Sequence, residues 1–270
     1  MRQCNSAPPC RRRRAATAWL SGMLVWLAFA AAAHAAGCPR PGALGTSRTL
    51  GVDAAATPRV GLKSFPQTLP LADHEVVLTF DDGPWPPTTT RVLAALAQEC
   101  VRATFFLIGK PASQYPGLVR RIAAEGHTVA HHTWSHRSLM RIKPDQAREE
   151  IDRGIAAVEM ALHSVATTTP AFFRFPGFES TPATLDLLQS RGIVVFGADL
   201  WASDWNRMTP KQELNLITSR LEAAGKGIIL FHDTKAQTAA MLPAFLRYLR
   251  ENDYHVVHTI PAKFVAADIN

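Results

Sequence analysis

Two short segments combine residue types that can hold a metal ion and activate water. The segment T-F-D-D-G-P places Asp81 and Asp82 side by side where an apolar run meets a Gly-Pro turn. The later segment H-T-W-S-H places His132 and His136 four residues apart. One carboxylate and two imidazoles form a three-ligand site for a divalent cation and leave a position for water. The second carboxylate can then act as a base, and this combination is typical of a hydrolase.

Apolar runs separated by helical patterns predict the elements that must position these residues. The predicted strands are 76–80, 103–107, 128–130, 171–173, 193–196, 227–231 and 255–257. Pro116 stands at a first helical position, and Gly126, Gly192 and Gly225 follow predicted helix ends. Alternating strands and helices indicate an α/β fold with a parallel sheet and outer helices. Seven strands favour a distorted seven-stranded (β/α) barrel.

Polar side chains follow most of these strands. Asp81 and Asp82 follow the first, His132 the third, Arg174 the fourth, Asp199 and Asp204 the fifth, and His232 the sixth. Because the carboxyl ends of parallel strands lie on one face, we expect these side chains to form a single site there.

The charge distribution argues against a nucleic-acid partner. The formal net charge is +7, but five of the 29 basic residues precede residue 37, in a stretch without Asp or Glu. The remainder therefore carries 24 basic and 22 acidic residues, a net charge of about +2 (29 − 5 and 22 − 0).

The first 36 residues are predicted to be a secretory signal peptide. Four arginines at 11–14 precede an apolar run at 15–33 and the small-residue exit A-H-A-A-G. An uncleaved membrane anchor and lipidation of Cys38 remain alternatives. Residues 37–70 are predicted to be an extended lead-in, and 71–265 the main domain. An exported chain would keep Cys38 and Cys100, either as a disulfide or as two thiols.

Five motifs in this order resemble the polysaccharide deacetylases of carbohydrate esterase family four, which include the nodulation protein B-like chitooligosaccharide deacetylases. The motifs are T-F-D-D-G-P at 79–84, H-T-W-S-H at 132–136, R-F-P-G at 174–177, A-S-D-W at 202–205 and L-F-H-D at 230–233. The resemblance covers about residues 75–260. It implies a hydrolase that removes N-acetyl groups from glycans containing N-acetylglucosamine. O-deacetylation and a non-catalytic glycan-binding module remain the alternatives.

The resemblance implies a role for each motif residue. Asp82, His132 and His136 would bind one divalent metal, most simply zinc, although Co or Ni would also suit these ligands. Asp81 would be the general base, held by Arg174, and His232 the general acid, paired with Asp204. Asp199 is a second candidate for that pairing. His131 is interpreted as a neighbour of the ligands and His127 as structural.

The resemblance also implies contacts with the substrate. The Gly177 N–H would hold the oxyanion. Trp205 and Leu230 would wall a slot for the acetyl methyl group, with a place in the core as the alternative for either. Gly177 stands where family members often have Tyr, and Phe178 is a candidate to replace that ring. A monomer is expected, with a glycan as substrate and a membrane contact only through an uncleaved signal segment.

Overall fold

A computed structural model describes Cys38 and residues 40–163 and 171–262. The predicted signal peptide lies outside these residues. Ten strands run along the described chain: β1 Arg48–Val52, β2 Arg59–Val60, β3 Glu75–Asp81, β4 Thr104–Leu107, β5 Thr128–His131, β6 Phe172–Phe173, β7 Val194–Phe196, β8 Leu200–Trp201, β9 Gly227–His232 and β10 His255–Pro261. No helix within the described residues is long and apolar enough to cross a membrane.

Seven α-helices separate these strands within the described chain. They are α1 Thr88–Gln98, α2 Gly109–Gln114, α3 Pro116–Ala124, α4 Pro144–Leu162, α5 Pro182–Ser190, α6 Pro210–Ala224 and α7 Ala236–Glu251. Pro116 occupies the first position of α3, as the sequence predicts. Gly126, Gly192 and Gly225 follow the ends of α3, α5 and α6 with positive φ, a conformation that glycine adopts without steric cost.

Every described strand pairing is parallel. The ladders run in the order β8-β9-β3-β4-β5-β6-β7-β2, which places β3 near the middle of the sheet. The predicted α/β class with a parallel sheet and surrounding helices is therefore confirmed. Side chains of six of these strands meet in one apolar cluster, as the inward positions of a barrel do: Val77, Phe106, Ala130, Phe172, Phe196 and Ile228.

The strand inventory differs from the sequence prediction in two respects. The two-residue strand β8 was not predicted, yet it pairs with β9 and carries Trp201. The predicted seventh strand, β10, instead pairs with β1 along five residues and with β3 only at Glu75 and Val76. The predicted lead-in also supplies two strands to the sheet, β1 and β2.

Alternation along β3 separates structural from chemical side chains. Val76, Leu78 and Phe80 pack outward with the helices in the largest apolar cluster. The intervening residues Thr79 and Asp81 point the other way, because successive strand residues face opposite sides. Asp81 lies directly opposite His232 in the ladder between β3 and β9. Two of the residues singled out by sequence therefore lie on neighbouring strands at one level.

Cys38 and Cys100 form a disulfide, with their Cα atoms 5.6 Å apart. The sequence left this pairing open. The bridge fixes the start of the lead-in to the connection between α1 and β4. Nearby, Gly45 N–H donates to Glu99 O at 2.8 Å and Leu44 N–H to the Glu99 carboxylate at 2.9 Å. The lead-in is thus attached covalently and through its backbone.

Candidate active site

Asp82, His132 and His136 form the metal-binding candidate. Each offers one ligand atom, and the three atoms lie within 4.8 Å of one another. Asp82 Oδ1 is 3.6 Å from His132 Nε2 and 3.3 Å from His136 Nε2. The two imidazole centres are 5.0 Å apart, with the rings steeply inclined. Asp82 and His132 directly follow β3 and β5, and His136 lies in the loop beyond.

A turn in the backbone brings Asp82 into the site beside Asp81. Asp82 has φ 77°, a left-handed conformation that Asp tolerates better than most residues. Gly83 follows, and a side chain there would collide with the carboxylate of Asp233. Asp233 is itself held by the hydroxyl of Thr89, which donates to its Oδ2 at 2.5 Å. Strand alternation alone would send Asp82 away from Asp81, so the turn is what gathers both carboxylates.

The chemistry of these donors fits a divalent cation. Asp82 Oδ1 is buried without a hydrogen-bond donor among the described residues. His132 Nδ1–H donates to the carbonyl of Arg174 at 2.7 Å, which leaves Nε2 unprotonated and facing Asp82. Burial lowers the pKa of His132 to about 3, against the opposing charge of Asp82, so the ring is neutral. An unpaired carboxylate oxygen and a neutral imidazole fixed through its other nitrogen are what a metal requires.

Asp81 is held by a buried arginine. Only 3% of Asp81 is exposed, and its Oδ1 accepts from Arg174 Nη1 at 2.7 Å. The same guanidinium donates to Thr79 Oγ1 and to the carbonyls of Phe196 and Gly197. Burial raises the pKa of Asp81, and the charge of Arg174 opposes that rise. The carboxylate is therefore a stronger base than an exposed one, with a fixed orientation.

His232 pairs with Asp204 and not with Asp199. Its Nδ1 lies 2.7 Å from Asp204 Oδ1, and its backbone N–H donates to Asp204 Oδ2 at 2.7 Å. Burial disfavours the charged ring, but the bond and charge of Asp204 and the charges of Asp82 and Asp81 raise the pKa of His232 to about 9. Its Nε2 lies 3.9 Å from Asp82 Oδ2, so the free nitrogen faces the metal-binding candidate.

Asp199 has a structural position. Its Oδ1 accepts from Leu62 N–H at 2.8 Å, and its Oδ2 accepts from Thr68 Oγ1 and Ile228 N–H. The second candidate partner for His232 thus joins the lead-in to β9 instead. His127 is buried at the start of β5, where its Nδ1 accepts from Ala103 N–H at 3.1 Å, in line with the predicted structural role. His131 is buried next to the ligands and is not one of the three clustered residues.

The three candidate metal ligands, Asp81 and His232 all line one cleft of about 520 Å³. The predicted substrate residues Gly177, Trp205 and Leu230 all line it, and Gly177 has φ 60°. Trp205 is 50% exposed and lies edge-on to His232, with ring centres 6.0 Å apart. Phe178, the candidate to replace the missing tyrosine, also lines the cleft.

Sequence reasoning missed other cleft residues. Phe175, Trp201 and Lys235 line the cleft, and Trp201 stacks on Phe178 with ring centres 6.1 Å apart. Lys63 lies outside it with its ammonium 5.0 Å from the centre of the Trp201 ring. The dipeptide Leu200-Trp201 was too short to be recognised as a strand, and nothing in the sequence distinguishes Lys235 from a surface lysine.

Comparison with known proteins places this site in a family. A family model described as polysaccharide deacetylase matches residues 69–196. A chitooligosaccharide deacetylase of Bradyrhizobium sp. is 36% identical over 161 residues, which span 59% of this chain and 71% of that protein. The chain belongs to the polysaccharide deacetylase family.

Two further members of this polysaccharide deacetylase family match over part of their length. A peptidoglycan-N-acetylglucosamine deacetylase of Bacillus cereus is 33% identical over 165 residues, which cover 61% of this chain and 58% of that protein. The structure of a Bdellovibrio bacteriovorus peptidoglycan deacetylase superposes with a TM-score of 0.71 at 29% identity. That superposition covers 82% of this chain and 60% of the other. The chain thus spans less than two thirds of both proteins.

Proposed function

We propose that this protein is a metal-dependent hydrolase that removes N-acetyl groups from N-acetylglucosamine units of an oligo- or polysaccharide and releases acetate. The observation that carries the proposal is the position of Asp81, the Asp82-His132-His136 cluster and His232 around one cleft. Membership of the polysaccharide deacetylase family supports it, as do relatives that are named for deacetylation of such glycans.

Amide hydrolysis forms a bond from a water oxygen to the acetyl carbon and breaks the carbon–nitrogen bond. A divalent cation held by the three ligands, for which we propose zinc, would supply a Lewis acid that polarises the carbonyl and acidifies water. Asp81 Oδ2 lies 3.9 Å from His132 Nε2, so the carboxylate is close enough to take the proton of a water in the cleft. Arg174 holds Asp81 in this orientation through its hydrogen bond to Oδ1.

His232 would return a proton to the departing nitrogen. Asp204 holds Nδ1, so Nε2 is the nitrogen that faces the cleft. With its pKa raised to about 9, the ring is protonated near neutral pH and can donate. An amine released with its proton leaves as a stable product, whereas an amide anion would not.

Gly177, Trp205 and Leu230 would receive the acetyl group. The proposed role of the Gly177 N–H is to stabilise the oxyanion, because a backbone donor in the cleft can be directed at developing charge. Trp205 and Leu230 add apolar surface beside His232, which suits a methyl group.

Acetate release tests the function. The protein is given an N-acetylated chitooligosaccharide and, in parallel, an O-acetylated xylan, each with and without a chelator. We expect acetate from the chitooligosaccharide, loss of activity with chelator and recovery on addition of a divalent metal. Release from the xylan alone would replace the proposal by O-deacetylation, and glycan binding without acetate release would support a non-catalytic module.

We further propose that the protein is exported. The basic and apolar N-terminal segment supports this, although it lies outside the described residues. The disulfide Cys38–Cys100 supports it independently, because structural disulfides persist in oxidising compartments. A Cys38 sulfur engaged in a disulfide is not free to carry a lipid, which favours cleavage by an ordinary signal peptidase.

A further inference from the structure

Two further buried polar side chains are connected to the Asp204–His232 pair through hydrogen-bond contacts. Asp204 Oδ2 accepts from the hydroxyl of Thr238 at 2.8 Å. The same hydroxyl lies 2.9 Å from Oε1 of Glu213. Thr238 is on α7 and Glu213 on α6, and both are fully buried, with 0% exposure. The order of contacts is therefore Glu213, Thr238, Asp204 and His232.

The number of hydrogen atoms available to Glu213, Thr238 and Asp204 limits the protonation states of the two acids. A threonine hydroxyl has one hydrogen to donate, and an ionised carboxylate has none. Two ionised carboxylates could not both be bonded by Thr238, because one contact would join two oxygens without a hydrogen between them. One of the two acids must therefore carry a proton.

The surroundings identify Glu213 as the protonated acid. Asp204 accepts from the ring and the backbone of His232 as well as from Thr238, which suits a negative charge. Glu213 Oε2 is buried without a hydrogen-bond partner among the described residues, which would be costly for an ionised group. The basic residue Arg220 of α6 is bonded to Trp201 O and Ser203 Oγ instead.

The electrostatics agree with this assignment. Burial raises the pKa of Glu213 to about 7, with the Thr238 bond opposing and the charge of Asp204 adding to the rise. His232 is the other charged group that acts on Glu213, and it opposes the rise more weakly. A carboxylic acid without a cationic partner stays neutral in such a place.

We infer that Glu213 is a neutral acid whose O–H donates to Thr238 Oγ1, so that Thr238 donates to Asp204, and that both are positioning residues for the Asp204–His232 pair. The functional part of this inference rests on the proposed role of His232. Glu213 fixes the direction of the Thr238 hydroxyl and leaves the negative charge on Asp204. Asp204 then holds the His232 ring while both of its carboxylate oxygens accept hydrogen bonds.

Infrared difference spectroscopy on the metal-free protein tests the protonation state. The spectrum of Glu213→Gln is subtracted from that of the unmodified protein at about pH 6, below the pKa of Glu213. We expect a carboxylic-acid C=O stretch that the variant lacks. A carboxylate band in its place would overturn the inference. This measurement needs no substrate, so its outcome is separate from that of the proposed function.

Kinetics test the positioning role. Glu213→Gln keeps a neutral donor toward Thr238 and should retain kcat within about threefold. Glu213→Leu and Thr238→Val each remove a hydrogen bond in the chain and should lower kcat about tenfold with KM unchanged. Melting temperatures identify any variant that does not fold. Equal kcat values for Glu213→Leu and Glu213→Gln would show that the side chain serves packing alone.

Discussion

Asp81 and Asp82 are chain neighbours with different surroundings, and the difference assigns them different proposed work. Asp81 is buried against Arg174, whereas Asp82 Oδ1 faces two imidazole nitrogens and accepts no hydrogen bond among the described residues. The first carboxylate is already engaged by a cation of the protein. The second is left available for a cation from outside.

Substitution of each carboxylate should separate the base from the ligand. Asp81→Asn should keep the metal and lower kcat by about 10²–10⁴-fold, the usual contribution of a positioned base. Asp82→Asn should lose metal, and excess metal should partly restore its activity. The measurement is metal content beside turnover on one acetylated oligosaccharide, with the exposed Asp186→Asn as control. A metal-free Asp81→Asn protein would show that the two roles are exchanged.

Lys235 is a basic side chain in the cleft. It lines the cleft half-buried, and no carboxylate of the described chain lies within ion-pair distance of it. If the substrate carries carboxylates, as the lactyl and peptide groups of a wall glycan do, Lys235→Gln should raise KM about two- to fivefold. A neutral chitooligosaccharide should show no change.

Arg247→Gln is the matched control for Lys235→Gln. It removes a positive charge from α7, which Lys235 immediately precedes, at a position twelve residues further on and about 18 Å away along the axis. A rise in KM that is equal for both variants, or equal for both substrates, would argue that Lys235 does not contact the glycan.

The end of the sheet opposite the cleft depends on neutral histidines. Ala103 N–H donates to His127 Nδ1, so this nitrogen must be unprotonated. Thr128 Oγ1 donates to Thr259 O, so it must accept from His258 Nε2–H, and His258 Nδ1 has no partner among the described residues. Burial lowers the pKa of His127 to about 4 and that of His258 to about 3.

These pKa values predict that acid destabilises the fold. Histidines of the unfolded chain have pKa values of about 6.5, so on acidification the unfolded chain takes up protons before the folded protein does. The stability of the fold is therefore complete above that pH and falls as the pH drops toward about 4. The melting temperature should therefore decrease from about pH 7 to about pH 5. His127→Gln should show a smaller decrease over the same range, since it cannot titrate. An identical decrease in both proteins would contradict the prediction.

The sequence was a better guide to the ends of strands than to their partners. Asp81, His132, Arg174 and His232 could be placed on one face because the end of an apolar run is visible in sequence. The partner of β10 could not be predicted, because a short apolar run does not indicate which strand it will pair with. Glu213 was not singled out from the sequence, because its burial depends on the packing of α6 against α7.

The disulfide and the strand pairing of the lead-in both tie residues before β3 to the rest of the fold. β1 pairs with β10 over five residues, and Cys38–Cys100 closes a loop across a sequence separation of 62. Such a bridge mainly restricts the unfolded chain, and typical contributions are about 2–4 kcal/mol. The lead-in is thus expected to be part of the cooperative fold.

Replacement of both cysteines by serine should therefore lower the free energy of unfolding by about 2–4 kcal/mol and leave turnover on the glycan unchanged. Denaturant titration with and without reductant measures the first effect. The reductant should shift the midpoint of the unmodified protein and not that of the double variant. An unchanged midpoint in both would show that the disulfide does not stabilise the fold.

The position of that bridge also determines how the protein would be oriented on a support. Cys100 lies between α1 and β4, at the amino ends of the strands, whereas the cleft lies at their carboxyl ends. A bead or a surface coupled through a tag placed directly before Cys38 would therefore hold the molecule on the side opposite the cleft. The cleft would face outward toward a polymer too large to diffuse, and coupling through Lys235 would block it.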